Sequence, residues 1–153
     1  MSTLSVQAEK AVKDLLESDQ NQLYEQLAMR VKAIEQEPDK SGQFDLDVEY
    51  GGAVMGLKDD LLEFGRKIFE RWNASAYQIV CGSEAEDTKD RKRLVDSIGI
   101  SETAMAATLS GMLVSSFGLA PAIAAVLAAL VVKRFGRPVY EEFCKVWSAN
   151  LTS

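Results

Sequence analysis

Residues 103–132 read TAMAATLSGMLVSSFGLAPAIAAVLAALVV, thirty consecutive positions without a charged side chain. As one unbroken helix at 1.5 Å per residue this stretch would measure about 45 Å, enough to cross a bilayer. Gly118-Leu119-Ala120-Pro121 breaks it, because glycine suits a helix end and proline suits a first helical turn. The pieces, 102–117 and 121–135, would each span roughly 22–24 Å, short of a ~30 Å hydrocarbon core. Between Ala104 and Val132, 15 of 29 residues are Ala, Gly, Ser or Thr. Such residues contribute little to membrane insertion but let helix backbones approach closely. Thr103, Ala107, Gly111 and Ser115 form one four-residue ladder, and Ala120, Ala124 and Ala128 another. The pattern predicts two antiparallel helices packed along these ladders.

A helix apolar on every side must be buried, in protein or in lipid. The favoured expectation is a central hairpin wrapped by amphipathic helices. The alternative is a membrane-active protein, pore-forming or holin-like, that inserts 103–132. A third outcome buries the hairpin only on oligomerisation. Lys133, Arg134 and Arg137 fit either a cytoplasmic flank or the negative end of a helix dipole, so they do not choose.

Outward from the hairpin, Ser101 is placed to cap the helix that follows it, with Glu102 at its positive end. Gly99 suits the C-cap of a short preceding helix that ends at Ile98, after a polar loop over 83–90. On the other side a last helix starts near Pro138 and carries Val139, Tyr140, Phe143, Val146, Trp147 and Leu151. Toward the N-terminus, Leu4, Ala8, Ala11, Val12, Leu15 and Leu16 mark one helix face, and Leu23, Leu27, Val31 and Ile34 a second. Asp19 with Gln22 three residues on reads as the cap of that second helix, and the short join predicts that the two form an antiparallel hairpin. Leu57, Leu61, Phe64, Ile68, Phe69 and Trp72 mark a third helix that runs toward Cys81, where helix and strand compete as readings of Tyr77–Cys81. Between them, Phe44, Leu46, Val48 and Tyr50 alternate with acids, the signature of a minor β-ribbon near 44–50.

The expected architecture is therefore one all-α domain over 1–153, with six or seven helices around the hairpin 102–117 and 121–135. Its average composition conceals a division: 20 of 23 acids and 13 of 17 bases precede Gly99.

The chain has no histidine, which removes Ser-His-Asp and Cys-His catalysis and imidazole metal ligation. A formal charge of −6 disfavours general affinity for nucleic-acid or anionic-lipid surfaces. Cys81 and Cys144 form no CxxC pair and have apolar neighbours, so both are expected as buried, reduced thiols in a cytoplasmic protein, with a disulfide as the lesser reading. The N-terminal residues show no signal-peptide pattern.

The segment from Arg93 to Met105, with Gly99 at the turn and Met105 as an apolar anchor, resembles the turn of a helix-turn-helix. Its second helix would present Glu102, Thr103, Ala104, Ala106, Ala107 and Thr108, none of which reads bases as Arg, Asn or Gln do. The resemblance therefore implies a helix corner rather than DNA recognition. Lys89, Arg91, Lys92 and Arg93 are interleaved with acids and read as a solvated face. Asp45, Asp47 and Glu49 approach calcium-loop spacing, but Tyr50 stands where glycine is needed and Gly56 where the last acid is needed. No phosphate loop occurs, and the acid pairs Asp59-Asp60 and Glu141-Glu142 suit helix N-terminal turns. No catalytic, cofactor or metal residue is assigned. The expected function is a non-enzymatic interaction or assembly module whose partner is an unidentified protein or a second copy of the chain, not nucleic acid.

Overall fold

The computed structural model describes residues 2–36, 58–81, 96, 101–135 and 140–151. Six packed helices form from them: α1 (Ser2–Leu16), α2 (Gln20–Gln36), α3 (Lys58–Val80), α4 (Glu102–Phe117), α5 (Pro121–Phe135) and α6 (Tyr140–Leu151). Among the described residues there is no strand, and the all-α class holds. The expected ribbon at 44–50, the basic run 89–93 and the acids from Glu37 to Glu49 lie outside the described residues. So does the short helix before Gly99, except Asp96, which is helical and exposed.

Local chemistry sets the ends. The Ser101 Oγ accepts from the Ala104 N–H at 3.0 Å and opens α4. Gly118 closes that helix at φ 65°, in the left-handed region, and its N–H donates to the Val114 carbonyl at 3.0 Å. Pro121 begins α5, and the Ala120 carbonyl accepts from the N–H groups of Ile123 and Ala124, both at 2.9 Å. At the start of α2 the cap is reciprocal. Asp19 Oδ1 accepts from the Gln22 N–H at 2.8 Å, and Gln22 Oε1 accepts from the Asp19 N–H at 3.0 Å.

Helix α5 is the centre. Every residue from Ala122 to Val132 is buried, and α1, α2, α4 and α6 all pack on it. Its Ala124 and Ala128 are fully covered, as are Ala107 and Gly111 of α4 within the expected seam, while Thr103 is half-buried and Ser115 exposed. The apolar hairpin is thus enclosed by the other helices, and among the described residues no helix is long and apolar enough to cross a membrane. Where the sequence leads one to expect an α1–α2 hairpin, the pairing differs. Helix α1 lies mainly against α4 and α5, and α2 lies against α3 and α5. The face of α1 that carries Ala11, Val12 and Leu15 covers the all-apolar hairpin, which offers more apolar area than the half-polar α2.

Helix α3 is helical through Val80, after which the Cys81 N–H donates to the Tyr77 carbonyl at 2.7 Å. The helical reading of Tyr77–Cys81 is therefore the one that forms. Trp147 of α6 is fully buried, stacks on Phe135 at 5.6 Å and donates its Nε1–H to Asn73 Oδ1 at 2.6 Å. This packing sets α6 across the end of α3, with the Cα atoms of Cys81 and Cys144 5.7 Å apart and their sulfurs joined as a disulfide. The expectation of two reduced, buried thiols is corrected: the cysteines are oxidised and only half-buried. Their apolar neighbours describe each site, but the fold decides which sulfur each one meets.

Candidate functional site

The site begins with Gly65. A Cβ at this position would lie against the Tyr24 carbonyl group, 2.6 Å from its carbon, so the absent side chain is what lets α2 and α3 close on each other here. Tyr24, 6% exposed, is held between them. The Phe69 ring meets it edge-on at 5.8 Å. The Arg66 guanidinium carbon lies 5.7 Å from the centre of the Tyr24 ring. Arg134, from the last turn of α5, donates to the Tyr24 hydroxyl at 2.9 Å.

Arg134 is half-buried, and its guanidinium carbon is 5.1 Å from the Phe69 ring centre and 5.0 Å from that of Phe135. Aromatic backing of this kind attracts the cation and fixes its plane. The carbonyl end of the α5 dipole also favours a cation at this position. Of its five N–H donors, the Tyr24 hydroxyl takes one among the described residues.

These groups wall an open cleft of about 300 Å³, completed by Glu70 of α3 and by Gln20 and Asn21 in the first turn of α2. Gln20 and Asn21 stand at the amide end of their helix, whose first N–H groups fall outside the helical hydrogen-bond ladder. The Asp19 cap meets the N–H of Gln22, further along the turn. Two arginines against one glutamate leave the lining at a formal +1, on a chain of net −6. The arrangement is suited to holding an oxyanion, with guanidinium forks, a helix amide end and an aromatic floor.

The features singled out in the sequence do not meet here. Glu141 and Glu142 are exposed in the first turn of α6, and Met105, Ala106 and Ala107 of the helix-turn-helix-like corner are buried in the core. Among the described residues no group of three or more potential metal ligands converges. Arg134 is visible in the sequence only as a helix-end cation, and Arg66 and Tyr24 carry no signal at all. Their meeting depends on Gly65, which interrupts no pattern. A buried cation outside the cleft, Arg30, donates to the Ala122 carbonyl at 2.9 Å and ties α2 to the start of α5, a structural role.

Comparison with models of protein families, with curated proteins and with solved structures finds no significant match to this chain.

Proposed function

We propose that the chain is a non-enzymatic helical interaction or assembly module that meets its partner, another protein or a second copy of itself, at the Arg66–Arg134 cleft. The observation that carries this reading is the gathering of two guanidinium groups around one tyrosine with a single carboxylate beside them. Aromatic-backed arginines, here an exposed Arg66 and a half-buried Arg134, are characteristic anchors of protein recognition. The Tyr24 hydroxyl already accepts from Arg134, which supports recognition over chemistry. The membrane-inserting alternative requires the hairpin to leave the core, and α1, α2 and α6 pack on the helix that would insert. The disulfide supports an oxidising environment, against the cytoplasmic setting that reduced thiols imply.

The test compares two charge reversals on the same helix. Arg66 and Lys67 are both exposed, but only Arg66 lines the cleft. Cross-linked partner sets, or self-association by sedimentation velocity, should be lost in Arg66→Glu and kept in Lys67→Glu. Equal behaviour of the two variants would remove the cleft from the interaction.

A further inference from the structure

We infer that the anion this cleft takes is a carboxylate, carried by an acidic segment of a polypeptide; the inference rests on the interaction reading above and names its ligand chemistry. Charge comes first. The lining holds Arg66 and Arg134 against Glu70, an excess of one positive charge, which one carboxylate balances. A phosphate dianion would leave the site at a formal −1. Geometry agrees. Arg66 lies over the face of the Tyr24 ring and Arg134 binds its hydroxyl, so two planar forks flank the same floor, and planar forks match the two oxygens of a carboxylate.

Size and exposure select the carrier. Sites for free small molecules enclose most of their ligand and run upward from about 300 Å³. This cleft is at the bottom of that range, and Gln20, Asn21, Arg66 and Glu70 are all exposed around it. It can seat one acidic side chain while the rest of the ligand stays outside. Glu70, exposed on the rim, is the carboxylate acceptor that the lining offers to an N–H of the backbone carrying that side chain.

The experiment titrates the full oxidised chain with three probes: a blocked tetrapeptide containing two glutamates, its glutamine counterpart, and inorganic phosphate. Backbone amide NMR signals of Gln20 and Asn21 and the arginine Nε–H signals of Arg66 and Arg134 are followed. The glutamate peptide should move all four, weaken about tenfold in Arg66→Gln through loss of a charge-assisted hydrogen bond, and weaken in high salt. The glutamine peptide should move none. Equal response to both peptides, or response to phosphate with none to the glutamate peptide, would overturn the carboxylate assignment. The interaction reading is decided separately, by the partner sets of Arg66→Glu and Lys67→Glu, so the two can fail independently.

Discussion

Two small residues carry opposite energetic consequences. Gly65 is required because the α2 backbone occupies the space of a side chain. Gly65→Ala must therefore push the helices apart, and overpacking of this kind costs about 2–3 kcal/mol. A urea titration should show that loss, together with a weakened Arg66–Tyr24 contact. Ser110 is the reverse case. It is fully buried, and its Oγ finds no hydrogen-bond partner among the described residues. Ser110→Ala removes an unsatisfied hydroxyl with little change in volume, and should raise stability by about 1 kcal/mol in the same assay. Neither role is written in the local sequence. Gly65 sits inside a helical stripe that reads normally without it, and Ser110 looks like one more small residue of a helix rich in them.

At the scale of elements, helix ends were legible and helix partners were not. Ser101, Gly118, Pro121 and the Asp19–Gln22 pair act where their side-chain chemistry predicts, because capping is decided within four residues. Asp19→Ala should cost about 1 kcal/mol through loss of the α2 cap, seen as a lower thermal midpoint by circular dichroism. The burial of 122–132 was equally readable, since a stretch apolar on every side has no polar face to offer. Pairing is a competition between distant surfaces, and there the expected α1–α2 hairpin gave way to α1 on the apolar hairpin and α2 on α3. The cleft was illegible for the same reason. Tyr24, Arg66 and Arg134 come from three helices and are 42 to 110 positions apart, with no shared motif.

Over the whole molecule, the disulfide joins the end of α3 to α6 across a sequence separation of 63. Closing a loop of that length in the unfolded chain is worth about 4 kcal/mol on chain-entropy arithmetic. A Cys81→Ala/Cys144→Ala double variant should fall short of the oxidised parent by that order in guanidinium unfolding, and match it once the parent is reduced. The bond also changes how the molecule bears load. Pulled from its two termini, the oxidised chain transmits tension from Cys81 directly to Cys144, and both helices of the apolar hairpin hang in a slack covalent ring. Single-molecule extension should then be shorter than that of the reduced chain by roughly 210–230 Å, the reach of the bypassed residues. The most apolar part of the protein would be the part that mechanical force cannot stretch.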